Sequence, residues 1–142
     1  MSLVLDSSVT LAWIHPDELT GALRAVFEQV TDAGAWVPAL WRLEVANVLE
    51  MGVRRRKHTA DFRDATLADL AEFPIRLDPE TDRQAWSATV RLAATHGLTV
   101  YDATYLELAQ RRGLPLATLD KDLRAAARAE GIILFGIDDD LR

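Results

Sequence analysis

The stretch Leu3-Val4-Leu5-Asp6-Ser7-Ser8 passes from a short apolar run directly into polar residues that suit a turn or the start of a helix. A similar change occurs later in the chain, where the apolar run at residues 114–118 is followed closely by Asp120. We interpret each run as a short buried strand that leads into a helix. Both acids would then lie just beyond the end of a strand.

Helical periodicity fills the segments between short apolar runs. It predicts helices over residues 17–33, 41–56, 59–73, 78–97, 102–112 and 120–130. Three further short strands are predicted at 36–38, 74–77 and 132–135. The helix over 41–56 is expected to be largely buried, and Asp78 is expected to cap the helix that follows it. Strands that alternate with helices predict the α/β class, as a three-layer α/β/α sandwich with a short parallel sheet of four or five strands.

Composition points to one ordinary globular domain over residues 1–142. The chain is 49% hydrophobic and 27% charged, which argues against disorder. It contains no cysteine, so a disulfide framework and a thiolate zinc site are both excluded, and a reducing compartment is favoured. The sequence has no apolar run of spanning length and no basic leader. These features predict a cytoplasmic protein without a membrane partner.

The formal net charge of −6 is an objection to a nucleic-acid partner, because phosphate binding depends on Lys and Arg. The objection weakens if several acids hold a divalent cation, which reverses the local field. The main basic run is at residues 54–58, and it fits either a solvated helix end or a contact with an RNA backbone. The acids at 138–140 add negative charge at the end of the chain. The three histidines lie far apart in the sequence and are assigned no chemistry.

Four carboxylates occupy unusual positions: Asp6, Glu44, Asp102 and Asp120. Each also has an ordinary explanation. Asp6, Asp102 and Asp120 could cap or flank helix N-termini, and Glu44 could belong to a solvent-facing stripe with Asn47. Because ligands in parallel sheets bind beyond the carboxyl ends of the strands, the acids that follow strands are also candidates for a binding site.

Several carboxylates confined together need a compensating cation. Without cysteine and without a histidine pair at ligand spacing, the available ligands are hard oxygens, which suit Mg²⁺ or Mn²⁺. Such ions bind phosphates and activate water. The set of acids therefore favours phosphodiester hydrolysis.

Four blocks of the sequence resemble the PIN-domain VapC toxins, and together they span almost the whole chain. They are residues 5–8 (LDSS), 38–49 (PALWRLEVANVL), 98–106 (LTVYDATYL) and 116–120 (LATLD). The resemblance implies an α/β/α sandwich, usually a homodimer, with endoribonuclease activity towards structured RNA. It also implies a cognate VapB-like antitoxin, and cleavage products with 5′-phosphate and 3′-hydroxyl ends.

Transferred by position, the resemblance makes Asp6, Glu44, Asp102 and Asp120 the acidic catalytic and metal-binding residues. Supporting positions are filled by Ser7, Asn47 and Thr118, and Asp122 is a nearby alternative to Asp120. In the expected mechanism, one or two Mg²⁺ or Mn²⁺ ions are held by Asp6, Asp102 and Asp120, while Glu44 binds metal or orients water.

Three other functions remain open at this level. A phospho-receiver domain also combines an acidic Mg²⁺ pocket with a parallel sheet, although residues 77–79 look like a helix start rather than a phospho-acceptor site. A Toprim-like site could use Asp120 and Asp122, but its usual first-strand Glu is absent. A PIN fold without cleavage activity would be a binding module for RNA or protein.

Overall fold

The computed structural model describes residues 1–15 and 20–136. In this part of the chain, four strands form one parallel sheet in the order β3-β2-β1-β4, made of β1 (Leu3–Leu5), β2 (Ala35–Val37), β3 (Ile75–Leu77) and β4 (Leu116–Ala117). Helices flank the sheet, so the predicted α/β sandwich with a short parallel sheet is confirmed. The fifth strand predicted at 132–135 is reduced to a single bridge between Leu116 and Leu134.

The helices lie close to their predicted positions. They are α1 (Ser7–Trp13), α2 (Gly21–Ala33), α3 (Leu40–Arg54), α4 (Ala60–Ala71), α5 (Thr81–Gln84), α6 (Val90–His96), α7 (Val100–Arg112) and α8 (Lys121–Ala129). The predicted start of the helix at residue 17 and the acids at 138–140 lie outside the described residues. Within those residues, no helix has the length and apolar character needed to span a bilayer.

The core is built around β1 and its neighbour β4. Every residue of β1 and β4 is buried, which explains why both strands appear in the sequence as continuous apolar runs rather than alternating ones. Helix α7 packs against β1 and is buried over residues 103–109. It begins at Val100, two residues earlier than predicted, because the Thr99 side chain accepts a hydrogen bond from the Asp102 amide and caps the helix.

Helix α3 is buried on one face only, so the expectation of a largely buried helix was wrong. Its buried residues are Trp41, Val45, Leu49 and Gly52, whereas Leu43 is 71% exposed. Apolar residues on the outer face had blurred the periodicity. The helix ends in a Schellman motif: the amide of Lys57 donates to Gly52 O (2.8 Å) and that of Arg56 to Val53 O (3.0 Å). Arg56 adopts φ 58°, a left-handed conformation that usually favours glycine.

The helix predicted over 78–97 is interrupted, and Asp78 does not cap it. A π-helical segment, Ala85–Thr89, separates α5 from α6 and leaves Trp86 97% exposed. The buried Asp78 carboxylate instead accepts hydrogen bonds from Arg111 (2.5 Å) and Arg112 (2.8 Å) at the end of α7. Burial opposes its ionisation, but these guanidinium groups hold the pKa of Asp78 well below its ordinary value.

Candidate functional site

The four predicted carboxylates lie in one region, at the edge of the sheet where β1 and β4 end. Asp6 directly follows β1, Asp120 follows β4, and Asp102 lies in the first turn of α7. Glu44, on α3, completes the group. Burial raises the pKa of Asp6, Glu44 and Asp102, and neighbouring charges add to this rise: Asp6 and Asp102 act on Glu44, and Asp120 acts on both Asp6 and Asp102. We call these four residues the carboxylate cluster.

Asp6 is the most buried member of the cluster. It occupies the N-cap position of α1, but its side chain makes no capping hydrogen bond, which contradicts the capping role. Its Oδ2 instead accepts hydrogen bonds from the hydroxyls of Ser8 (2.7 Å) and Thr118 (2.7 Å). Burial raises the pKa of Asp6, the two hydroxyl bonds oppose this rise, and the charge of Asp120 adds to it.

Thr118 links the ends of β1 and β4. Its buried hydroxyl donates to Asp6 and accepts a hydrogen bond from the Asp120 amide (3.0 Å). Asp120 caps α8 through its Oδ1, which accepts from the Leu123 amide (2.8 Å), so its ordinary structural role is real. Within the described residues Oδ2 of Asp120 accepts no hydrogen bond, so capping uses one carboxylate oxygen and leaves the other without a donor.

Glu44 is held by a residue that the sequence did not single out. The Tyr105 hydroxyl, at the centre of α7, donates a hydrogen bond to Glu44 Oε1. Burial raises the pKa of Glu44, whereas the bonds from Tyr105 and Ser7 lower it. Tyr105 is fully buried, and burial together with the neighbouring Glu44 carboxylate raises the pKa of its phenol, so Tyr105 remains a proton donor to Glu44.

Asp102 is half-buried at the N-terminal end of α7. Thr99 caps this helix, so Asp102 is not needed as the cap. Burial raises the pKa of Asp102, and the charges of Asp120 and Asp6 raise it further. The helix dipole favours a carboxylate in this turn, but the neighbouring acids disfavour its charge.

The supporting positions are placed unequally. Thr118 contacts Asp6 directly, and Ser7 lies at the limit of hydrogen-bonding distance from it (3.5 Å). Asn47 is exposed and, within the described residues, forms no hydrogen bond with a carboxylate of the cluster; it lines a neighbouring cavity. Asp122 is exposed and acts on Asp102 only through a weak electrostatic effect, so Asp120 is the better placed of the two.

Two residues of the site, Ser8 and Tyr105, were not predicted from the sequence. Ser8 is part of the Asp6-Ser7-Ser8 turn, and its hydroxyl also accepts a hydrogen bond from the Leu119 amide (3.0 Å), which ties the turn to the end of β4. Tyr105 lies at i+3 from Asp102 in α7, a spacing that puts both on one side of the helix. That spacing was the available signal.

The donor chemistry of the cluster fits a hard divalent cation. Its members are oxygen ligands, burial and neighbouring negative charges disfavour the ionised forms of Asp6, Glu44 and Asp102, and the hydrogen bonds that oppose these effects come mainly from hydroxyl groups. As the side chains stand, no three acidic or histidine residues in the described part of the chain are arranged to hold one ion. The cluster thus has the charge and ligand type for a cation, and its side chains would have to converge to bind one.

The receiver alternative fails on geometry. The acid that follows β3, Asp78, is buried and bound by Arg111 and Arg112, so it is not accessible to a phosphodonor. The cluster instead uses acids after β1 and β4 and on two helices.

Comparison with known proteins agrees with this architecture. The PIN domain matches residues 3–129. Ribonuclease VapC3 of Pyrobaculum aerophilum is 33% identical over 123 residues, which cover 87% of this chain and 92% of VapC3. Exonuclease VapC9 of the same organism is 37% identical over 59 residues, covering 42% of this chain and 41% of VapC9.

Two crystal structures share the fold. PAE2754 from Pyrobaculum aerophilum has a TM-score of 0.64 and 23% identity, over 99% of this chain and 91% of that one. FitAcB from Neisseria gonorrhoeae has a TM-score of 0.65 and 16% identity, over 95% of this chain and 96% of that one. With a PIN match over most of its length and a VapC relative at 33% identity, this chain belongs to the PIN-domain family.

Proposed function

We propose that this protein is an Mg²⁺- or Mn²⁺-dependent endoribonuclease that hydrolyses RNA phosphodiester bonds, and that it is the toxin of a type II toxin–antitoxin pair. The observation that carries the proposal is the carboxylate cluster, in which four acids from separate elements meet at the strand ends of a PIN fold, and burial and neighbouring negative charges raise the pKa of Asp6, Glu44 and Asp102. The name of the relative VapC3, a ribonuclease with 92% of its length aligned, supports RNA as the substrate.

In this proposal Asp6, Asp102 and Asp120 hold the metal. A divalent ion bound there supplies compensating positive charge and Lewis acidity at the phosphate. Thr118 and Ser8 fix the orientation of Asp6, since both donate to the same carboxylate oxygen. Oδ1 of Asp6 has the weaker protein contact of the two oxygens, because the Ser7 hydroxyl lies 3.5 Å from it.

Glu44 orients the attacking water and accepts its proton. The hydrogen bond from Tyr105 fixes one carboxylate oxygen of Glu44, so the other oxygen can face the substrate. A raised pKa makes Glu44 a better base at neutral pH than an exposed glutamate would be. Water attacks phosphorus in line as its proton passes to Glu44, the P–O3′ bond breaks, and the leaving 3′-oxygen takes a proton from solvent water, which gives 5′-phosphate and 3′-hydroxyl products.

The partners we propose are an RNA substrate, a cognate VapB-like antitoxin and a second copy of this chain. An aromatic-lined groove of about 530 Å³ is available for an apolar antitoxin segment. In it Trp13 and Phe27 pack edge to face at 5.2 Å, and Phe27 packs in the same way against Phe73 at 5.1 Å. Co-purification with the product of a neighbouring gene, and light scattering of the free protein, test these partners.

Cleavage of a circular RNA and of a 5′-labelled linear RNA of the same sequence tests the activity. Each is incubated with the wild-type protein or the Asp102→Asn variant, in Mg²⁺, Mn²⁺ or EDTA. We expect the wild-type protein to open the circle in either metal, and we expect no cleavage in EDTA or by the variant. Asp69→Asn, an exposed carboxylate on α4, is the matched control and should cleave normally.

The circle separates two activities, since an exonuclease cannot begin on it. Cleavage of the linear RNA alone would replace the endonuclease with an exonuclease, the activity in the name of VapC9. Metal binding by calorimetry without cleavage of either RNA would support the non-catalytic PIN module. Normal cleavage by Asp102→Asn would remove Asp102 from the site.

A further inference from the structure

A second feature next to the carboxylate cluster has no role in the proposed chemistry. It is a cavity of about 560 Å³ beside the C-terminal half of α3 and the segment that joins α3 to α4. We call it the basic bay, and it is lined by His15, Asn47, Val48, Met51, Gly52, Arg55, Lys57, His58 and Phe62. Two histidines that lie far apart in the sequence, His15 and His58, thus line the same cavity.

The basic bay is positively charged in an acidic protein. Its lining includes Arg55, Lys57 and two histidines, and no acid lines it among the residues that the structure describes. Neither Arg55 nor Lys57 forms an ion pair within that part of the chain, whereas the nearby Arg54 and Arg63 are both paired with Glu50. With a formal net charge of −6 on the whole protein, a basic cavity that no acid neutralises among the described residues indicates an anionic ligand.

The basic bay and the cluster share one face of α3. Glu44, Asn47 or Val48, Met51 and Arg55 follow one another at the three- and four-residue spacing of a helical stripe. At about 1.5 Å per residue, Arg55 lies roughly 16 Å along the helix from Glu44. An extended ligand that leaves the carboxylate cluster along this stripe therefore enters the basic bay.

Contacts of His58 and a backbone hydrogen bond of Lys57 hold the basic bay in shape. His58 Nε2 lies 2.7 Å from the Leu49 carbonyl, and the His58 ring packs over Gly52, where a Cβ would come within 2.1 Å of it. The Schellman bond from the Lys57 amide to Gly52 fixes the residue that carries the basic side chain. Binding there requires little ordering of the protein backbone.

The rim of the basic bay offers an aromatic surface. The ring of Phe62 is 39% exposed and lies 5.0 Å from that of His58, centroid to centroid. Proteins that bind single-stranded nucleic acid combine a basic groove with aromatic side chains on which bases stack. This combination favours an RNA strand over a purely acidic peptide, which would use the charge but not the ring.

We propose that the basic bay binds the backbone of single-stranded RNA next to the cleavage site, with Arg55 and Lys57 each contacting a phosphate. The inference rests on the proposed function for the identity of the strand, which continues from the carboxylate cluster. It adds the path that the strand takes along α3.

Binding measured without cleavage tests the path separately from the chemistry. A short fluorescein-labelled single-stranded RNA is titrated in EDTA, by anisotropy, over a series of salt concentrations. The bay variant is Arg55→Gln with Lys57→Gln. The control is Arg24→Gln with Arg83→Gln, which removes the same charge from exposed arginines outside the basic bay.

We expect the bay variant to bind several-fold more weakly than the wild-type protein and the control. The slope of log affinity against log salt should fall by about 1.4, because each lost phosphate contact on a single strand accounts for about 0.7. Thermal denaturation should give the same midpoint for the bay variant and the control. Where RNA is cleaved, the bay variant should raise KM by more than it lowers kcat.

Equal affinities and slopes for the two variants would overturn the proposal. A bay variant that binds RNA normally but no longer binds a poly-glutamate peptide would also overturn it. That result would assign the basic bay to an acidic protein segment. A wild-type protein that binds RNA through the basic bay but cuts none would refute the nuclease alone. Cleavage with an unchanged KM in the bay variant would refute the RNA path alone.

Discussion

Replacing Thr118 by valine should destabilise the protein by an amount that depends on pH. Valine has nearly the same shape, so the change removes the hydroxyl without opening a cavity. The hydroxyl donates to the Asp6 carboxylate at 2.7 Å and accepts from the Asp120 amide at 3.0 Å. A bond to an ionised group is worth about 1.5–3 kcal/mol and a neutral one about 1 kcal/mol. The expected loss is therefore about 3 kcal/mol at neutral pH, or about 10 °C in Tm.

The pH dependence follows from the pKa of Asp6. Burial already raises this pKa, and the Thr118 bond lowers it by favouring the ionised form. In the valine variant the folded-state pKa of Asp6 rises further. A carboxyl group with a raised pKa contributes stability that is present at low pH and lost as the pH rises through the folded-state pKa. The deficit of the variant should therefore be largest at neutral pH and should shrink by about 1–2 kcal/mol in acid, where the bond to Asp6 becomes a neutral one.

Urea denaturation in EDTA, at neutral pH and at a pH below the pKa of Asp6, measures both quantities. Thr118→Ser is the control, because it keeps the hydroxyl and loses only a buried methyl group, at a cost of about 1 kcal/mol that should not depend on pH. A deficit in Thr118→Val that is the same at both pH values would show that the hydroxyl does not interact with the Asp6 charge.

Two further substitutions test Tyr105, whose role was not predicted from the sequence, and Asp78, which the sequence predicted as a helix cap. Tyr105→Phe should reduce kcat by about 10- to 100-fold, since Glu44 loses its orienting hydrogen bond. It should also move the acid limb of the pH–rate profile to higher pH, because that hydrogen bond lowers the pKa of Glu44. An unchanged profile would contradict the contact between Tyr105 and Glu44. Asp78→Asn should cost about 3 kcal/mol in urea denaturation at neutral pH, because two guanidinium groups lose a buried partner. This difference in the free energy of unfolding should vanish in strong acid, because there the pH lies below the lowered pKa of Asp78 and the wild-type protein also loses the charged interaction. A difference that persists in strong acid would show that packing, not charge, is responsible.

The sequence predicted the elements well because their signals are local. Apolar runs gave β1 and β4, and periodicity with glycine stops gave α2 and α7. The run at 132–135 carries the same signal, but it forms a single bridge to the sheet, between Leu134 and Leu116, and no strand. Composition alone does not distinguish a strand from a segment that packs along an edge.

The candidate site could be predicted only in part, because the local sequence places residues on elements but does not define their tertiary contacts. Strand ends placed Asp6 and Asp120 at one edge, as parallel topology requires. Periodicity showed that Asn47 lies near Glu44 on α3, but not that it lines the basic bay instead of reaching the acids. The partners of Asp78 are 33 and 34 residues away, on a helix whose packing the local sequence does not define. The local sequence therefore favoured a helix cap for Asp78, whereas in the structure its carboxylate binds the distant Arg111 and Arg112.

The two edges of the sheet bear on how this protein behaves at high concentration. An open edge strand is a template on which a second chain can pair and aggregate. Here β3 is only three residues long, lies between Pro74 and Pro79 and carries the exposed Arg76, so a passing strand finds few free amides and a charge. At the other edge, Leu116 exchanges hydrogen bonds with Ile133 and Phe135, which cover β4. The sheet that holds Asp6 and Asp120 at its strand ends is thereby protected from edge-to-edge polymerisation.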